Sequence, residues 1–171
     1  MKIRGGDADS VAEILALLDG AVAWLVSQGR TGQWGTEPWS GRPAAVARLR
    51  ETARECVVRL AVDEEGRTVG ACVLAEEAPD HAPAVAEREL YVRWLLTDRS
   101  RKGAGIGAAL VADAVEETRA RGISLLRVDC YAGGDRALVE QYVRLGFTPT
   151  EAFELDRPEG PWPGQVLEIR L

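Results

Sequence analysis

The sequence predicts one α/β domain on a mixed sheet, and three observations lead there. Apolar periodicity and turn residues order the elements as β-α-α-β-β-β-α-β-α-β-β, which mixes hairpins with a β-α-β crossover and is not the doubly wound order. The chain has 171 residues, room for one good core at roughly 150 residues per domain, so residues 1–171 read as a single domain. Hydrophobic residues make up 46% and charged residues 28%, which is too apolar for a disordered chain.

Lys2 to Arg4 is a short first strand. Asp7 or Asp9 then caps a helix, and Ser10-Val11-Ala12-Glu13 fits a capping box, in which the serine and glutamate side chains each satisfy a backbone N–H. Ile14, Leu15, Leu18, Val22, Leu25 and Val26 recur on one face of this helix up to about Gln28. Gly29 to Gly41 is a loop bearing Gly and Trp. Pro43 suits the first turn of a second helix, reaching about Glu55, because the N–H it lacks would be unpaired there. Cys56–Asp63 and Thr68–Glu76 are β-rich runs around Glu64-Glu65-Gly66-Arg67 and read as an antiparallel hairpin. A loose Ala/Pro segment reaches about Glu87. Glu89 to Thr97 reads as a strand from its Tyr, Val, Trp and Leu content. Ile106 to about Arg121 is helical, with Ile106, Leu110, Val111, Ala114 and Val115 inward and Asp113, Glu116, Glu117 and Arg119 outward. Leu125–Tyr131 is a strand, and Arg136 to about Leu145 is a helix stopped by Gly146. Phe147–Leu155 and Gln165–Leu171 are the last strands, around a Pro/Gly loop.

Twenty-one Lys and Arg against 27 Asp and Glu leave a net charge of −6, so the chain as a whole repels nucleic acid and anionic membranes. An anionic ligand therefore needs a local site. The first residues lack the apolar core of a signal peptide and the uncharged apolar stretches fall short of a bilayer span, so a soluble cytoplasmic location is expected. Cys56, Cys72 and Cys130 lack C-x-x-C spacing and His81 is the only histidine. A disulfide framework and a zinc site are therefore not expected, and neither is any metal. His81 lies in Ala78-Pro79-Asp80-His81-Ala82-Pro83, which reads as flexible, so no Ser-His-Asp or Cys-His nucleophile is expected from it.

The chemistry concentrates in Arg99-Ser100-Arg101-Lys102-Gly103-Ala104-Gly105-Ile106-Gly107-Ala108-Ala109-Leu110. A strand, a cationic loop and a glycine cluster run straight into an amphipathic helix. Glycines allow close backbone approach, and the first helical turn offers unpaired N–H groups at the positive end of the dipole. That combination can cradle a diphosphate, with Arg99, Arg101 and Lys102 adding local positive charge. The plainer reading is a tight helix-entry loop with solvated charges. Gly103-x-Gly105-x-x-Ala108 also satisfies the dinucleotide fingerprint, with Asp129 at about the right distance. That fold would place the fingerprint at its first strand, whereas here about 100 residues precede it. No G-x-x-x-x-G-K-[ST] is present, so a Walker-type NTPase is not supported.

On these residues the sequence resembles the GNAT superfamily of acyl-CoA-dependent N-acyltransferases, most strongly from about Tyr91 to Phe147. Lys102-Gly103-Ala104-Gly105-Ile106-Gly107 fits the family's Gln/Arg-x-x-Gly-x-Gly/Ala loop after the fourth strand, with Lys102 replacing the usual Gln or Arg. The family's second signature is a helix with a tyrosine that ends in Gly-Phe. It fits Asp135-Arg136-Ala137-Leu138-Val139-Glu140-Gln141-Tyr142-Val143-Arg144-Leu145-Gly146-Phe147, with Asp135 where an Asn is common. The resemblance implies a mixed, mostly antiparallel central sheet with splayed fourth and fifth strands, flanked by about four helices.

It further implies acetyl-CoA as donor and CoA as product. The pantetheine arm would pair with the backbone of Leu95 and Thr97, and an N–H near Leu96 would polarise the thioester carbonyl. Amides from Gly103, Ala104, Gly105, Ile106, Gly107 and Ala108 would hold the pyrophosphate, assisted by Arg101, Lys102 and Asp135. Tyr142 resembles the family's general acid for the leaving thiolate. An alkylamine acceptor has an ordinary pKa near ~10.4 and must lose a proton before attack, for which Glu89 and Asp129 are the two carboxylate candidates, with Glu87 behind them.

The acceptor pocket is expected from Gln33, Trp34 and Trp39, between the first two helices, with Tyr91 and Asp129. Trp162 lies in the expected loop before the last strand. Loop tryptophans can line an apolar pocket or serve as core lids. Cys130, Trp24 and Trp94 read as packing. The function expected is transfer of an acetyl group to the primary amine of a small molecule, by direct attack in a ternary complex, with a homodimer as an option. The alternatives are a non-catalytic acyl-CoA-binding or sensing domain and a small dinucleotide-dependent oxidoreductase.

Overall fold

In the computed structural model, which describes residues 1–171, seven strands form one sheet. They are β1 (Lys2–Gly6), β2 (Val57–Val62), β3 (Thr68–Ala75), β4 (Leu90–Thr97), β5 (Leu125–Tyr131), β6 (Thr148–Leu155) and β7 (Trp162–Arg170). Four α-helices accompany them: α1 (Val11–Ser27), α2 (Pro43–Glu55), α3 (Ile106–Ala120) and α4 (Ala137–Arg144). The strand order is β1-β2-β3-β4-β5-β7-β6. The β1–β2, β2–β3, β5–β7 and β6–β7 ladders are antiparallel, whereas β4 and β5 pair in parallel. That parallel ladder covers only Leu90–Val92 against Leu126–Val128.

The chain divides into two compact units, Met1–Leu74 with Trp94–Asp113, and Ala75–Arg93 with Ala114–Leu171. In the first, α1 and α2 lay Ile14, Leu18 and Leu49 onto Val58, Leu60, Ala71, Val73 and Leu96 of the sheet. Ile14, Leu49, Leu60, Ala71 and Val73 are fully buried, and each of these Ile, Leu and Val side chains contributes on the order of 1.5–3 kcal/mol relative to exposure. The stripe on α1 differs slightly from the expected one. Leu17 and Ala21 are buried while Val26 is 40% exposed, because the 3.6-residue period carries the face from Val11 through Leu18 to Leu25. Ala8–Ser27 has the length and hydropathy of a membrane-crossing helix, yet seven side chains of α1 are buried in this unit.

Asp7 caps the start of α1, as expected, but the capping box lies one turn earlier than Ser10–Glu13. Residues Ala8–Ser10 form a 3-10 turn whose capping box is Asp7 with Ser10. Ser10 Oγ accepts from Asp7 N–H at 3.2 Å, so its hydroxyl is spent one turn earlier, and Glu13 instead pairs with Arg4 at 2.9 Å.

In the second unit α4 packs near β5 and β6. β7 begins at Trp162, earlier than expected, because Trp162 pairs with Leu155 across the β6–β7 hairpin. Trp162 is consequently a buried strand residue and not part of a loop. Thr118 of α3 is fully buried; its hydroxyl donates to Ala114 O at 2.7 Å, which lets a polar side chain sit on an apolar face. Val115, expected inward, is half-buried.

Candidate active site

In the first unit, β4 runs into a 3-10 turn at Arg99–Arg101 and then into α3. Asp98 caps this turn, accepting from the Ser100 N–H at 2.9 Å and the Ser100 hydroxyl at 2.7 Å. The Ser100 hydroxyl, then its amide and Arg101, hold the Asp98 carboxyl below the ordinary carboxylate range. Gly103 and Gly105 have φ of 85° and 73°, a left-handed conformation that costs a residue bearing Cβ roughly 1–2 kcal/mol. A Cβ at either position would meet open space, so backbone conformation and not crowding requires glycine there. The first helical bond of α3 in this stretch is Ala109 N–H to Gly105 O at 3.0 Å. The amides of Ile106, Gly107 and Ala108 precede it and are the helix-terminal donors that suit an anion.

The position of α3 depends on Gly70 of β3. A Cβ on Gly70 would lie 2.6 Å from Ile106 Cγ2 and 2.9 Å from Leu110 Cδ1. The missing side chain thus lets the start of α3 press against the sheet.

Two of the three loop cations are already engaged. Arg101 Nη2 is 2.7 Å from Asp63 Oδ2, and its Nε is 3.4 Å from Asp98 Oδ2. Arg99 lies 4.3 Å from the centre of the Trp24 ring, so Trp24 does more than pack: with Glu13, Gly20, Arg67 and Arg99 it lines an open groove.

The loop between α1 and α2 carries the expected acceptor residues. Trp34 and Trp39 are half-buried against the first unit's core. They meet edge to face at 6.3 Å, and Trp39 meets Trp94 at 5.2 Å. Arg42 clamps the loop by donating to Trp34 O and Glu37 O. The buried Trp39 Nε1 has no hydrogen-bond partner. Gln33, next to Trp34 in the same loop, is half-buried.

The second unit gathers a polar network that local sequence did not announce. Arg127 of β5 and Glu89, just before β4, form an ion pair at 2.9 Å with side chains 2% and 9% exposed. Tyr91, fully buried, donates its hydroxyl proton to Asp129 Oδ1 at 2.7 Å. Burial, then the Asp129 charge, push the Tyr91 phenol far up, so it stays protonated. The other oxygen of Asp129 lies 3.3 Å from His81 Nε2.

His81 thus has a carboxylate partner in Asp129. It occupies a turn closed by Ala82 N–H to Pro79 O at 2.9 Å, and its ring stacks on Phe153 at 5.1 Å. Arg127 Nη2 donates to Pro83 O at 2.9 Å, just beyond the turn. Glu87 instead pairs with Arg170 at 2.9 Å. One signal in the sequence could have led to this network. Arg127 interrupts the apolar run Leu125-Leu126-Arg127-Val128, and a charge inside a buried strand demands a partner.

Tyr142 of α4 is 7% exposed. Gly146, at φ 101°, turns the chain so that Phe147 N–H returns to Tyr142 O at 3.1 Å and the Phe147 ring meets Tyr142 edge to face at 5.7 Å. The Gly-Phe ending thus immobilises the tyrosine. Asp135 Oδ1 accepts from Ala137 N–H at 3.1 Å and steadies the start of this helix. Cys130 is buried, and desolvation with the neighbouring Asp129 charge pushes its thiol up to about 12; it is a thiol at neutral pH, in keeping with packing.

A strand that passes through a glycine loop into a helix, followed one strand later by a tyrosine helix closing on Gly-Phe, defines the GNAT class of fold. The model of the acetyltransferase (GNAT) family matches residues 20–147, and the chain belongs to that family. Curated protein sequences returned no match. Solved structures share the fold. The ribosomal-protein-alanine N-acetyltransferase of Brucella melitensis is 20% identical with a TM-score of 0.66, each chain covered completely. A GCN5-related N-acetyltransferase of Rhodopseudomonas palustris is 17% identical with a TM-score of 0.72, over 99% of this chain and 95% of that one. The yncA protein of Salmonella typhimurium, solved with its cofactor acetyl-CoA, is 17% identical with a TM-score of 0.64, over 99% and 93%.

Proposed function

We propose that this protein is an acetyl-CoA-dependent N-acetyltransferase that acetylates the primary amine of a small molecule by direct attack in a ternary complex. The observation that carries the reading is the loop Gly103–Ala108, where two left-handed glycines deliver helix-terminal amides to one spot, as a pyrophosphate requires. Acetyl-CoA, when bound, supplies an activated acyl thioester.

In this reading the amides of Gly103 to Ala108 hold the diphosphate, with Lys102 and Arg101 contributing charge. The backbone of Leu95 and Thr97 extends the donor arm, and a Leu96 N–H orients the carbonyl. Tyr142, held by Phe147, supplies the proton that the departing thiolate needs. The polar network of Glu89, Arg127, Tyr91, Asp129 and His81 lies in the second unit and takes up the proton released by the acceptor. Trp34, Trp39 and Gln33 shape the acceptor's apolar portion.

Tyr142→Phe tests the reading. An enzyme loses turnover by about 10²-fold or more while keeping its affinity for acetyl-CoA, measured by calorimetry. Calorimetry with CoA and with NAD decides the donor, and preference for NAD overturns it. Thiol release in a screen of polyamines, arylalkylamines, aminoglycosides, amino acids and peptide N-termini identifies the acceptor.

A further inference from the structure

We infer that His81, held by Asp129, is the group that takes the proton from the acceptor ammonium. This rests on the transferase reading above and adds the identity of its proton acceptor. Glu89 is 2.9 Å from Arg127 and nearly inaccessible. Asp129 has one oxygen bonded by Tyr91 and the other facing His81. Protonating Glu89 would strand the buried Arg127 charge, and protonating Asp129 would remove the anion that faces His81. His81 has the most exposed side chain of this network, 31% against 17% for Asp129, which favours it for contact with an incoming amine and with water.

The surroundings suit that work. The turn Pro79–Ala82 presents the ring, Phe153 of β6 supports one face, and Arg127 anchors Pro83. The titratable groups around it are Asp129 of β5, Tyr91 of β4 behind that carboxylate, and Asp80 beside it in the chain. The charge of Arg127 is matched by Glu89. An Nε2–H directed at Asp129 leaves the lone pair on Nδ1, so the carboxylate sets the tautomer. A neutral imidazole offers one ring-nitrogen lone pair as a proton acceptor, as a general base requires. Asp129 acts through His81 and is a positioning residue.

The step balances. His81 Nδ1 takes one proton from R–NH3+, and the freed lone pair forms the C–N bond to the acetyl carbon. The C–S bond breaks with its electrons on sulfur, and the thiolate takes the phenolic proton of Tyr142. The second amine proton, shed as the amide forms, restores Tyr142. The imidazolium releases its proton to water through its exposed edge. Ammonium and thioester thus yield amide, thiol and one proton.

The test uses spermidine, tryptamine, kanamycin, L-lysine and an alanyl tripeptide as acceptors, with thiol release as readout. With whichever amine turns over, His81→Gln is expected to lower kcat/KM by about 10²-fold and to abolish the acid limb of its pH profile, with acetyl-CoA affinity unchanged. Because the chain has one histidine, its imidazole ¹⁵N resonances are unambiguous. They should report the Nε2–H tautomer in the wild type at pH 8 and a mixture in Asp129→Asn. Retained rate and acid limb in His81→Gln, or a dominant Nδ1–H tautomer, overturns the assignment while leaving the transferase reading intact. A wild type that binds acetyl-CoA and releases no thiol with any of the five amines removes the transferase reading, and the assignment falls with it.

Discussion

Arg127 and Glu89 face each other at 2.9 Å across the start of the only parallel ladder described, with both side chains almost fully removed from water. Removing one partner of a buried pair strands the other charge, at a cost of about 3–5 kcal/mol, whereas replacing both with apolar groups is often nearly neutral. Arg127→Met is therefore expected to lower the unfolding free energy by about that amount, and Arg127→Met with Glu89→Leu to recover most of it. Urea denaturation measures both. A double variant as unstable as the single would show that the pair is not what the strands depend on.

The glycine loop predicts a donor-affinity effect with two independent origins. Gly105→Ala places a Cβ residue at φ 73°, and relief of that strain turns the amides away from the ligand. Gly70→Ala drives a Cβ to 2.6 Å from Ile106 and displaces the start of α3 from the sheet. Each should weaken CoA binding by about tenfold, equivalent to 1.4 kcal/mol, as read by calorimetry. Unchanged affinity in both would remove the loop as the donor site.

Acid sensitivity follows from three carboxylates held below their ordinary range. The Arg67 amide and then its guanidinium act on Asp63, the Ser100 hydroxyl acts first on Asp98, and Arg88 followed by Arg121 acts on Glu76. A carboxylate depressed in the folded state stabilises it above the unfolded pKa, near ~4, and that contribution is lost as pH falls through the folded value. The melting temperature should hold steady between about pH 7 and 5 and drop below ~4. Asp63→Asn should flatten the drop; an unaltered profile would assign it to other groups.

Thiol chemistry should discriminate among the cysteines. Desolvation pushes Cys72 and Cys130 up to about 12, whereas Cys56 is half-buried. Iodoacetamide on the native protein at pH 7.5 should label Cys56 ahead of the other two, as mass spectrometry of the peptides will show. Cys130→Ala should retain turnover, since a neutral buried thiol is no nucleophile. Rapid labelling of Cys130 in the folded protein would contradict this.

Most of the architecture was legible because its signals are local. Pro43 opens α2, Gly146 ends α4, and the run from Lys102 to Gly107 carries its own conformational demand in the glycines at 103 and 105. Periodicity placed the buried faces of α1 and α3 to within a residue or two. The start of α1 misled because Ser10 had a competing partner in Asp7, and the start of β7 because pairing with Leu155 extends it to Trp162.

Chain order and residue type alone carried the family signatures, the glycine loop and the tyrosine ahead of Gly-Phe, because backbone conformational limits and helix periodicity act over a few neighbours. Tertiary structure decided which polar groups meet: Glu89 with Arg127, separated by 38 residues, and Tyr91 with Asp129, likewise separated by 38. It also brought His81 from a proline-flanked segment to the carboxylate of Asp129. Such encounters depend on strand register and on burying a charge only beside its partner, and neither constraint is written within the span of a local motif.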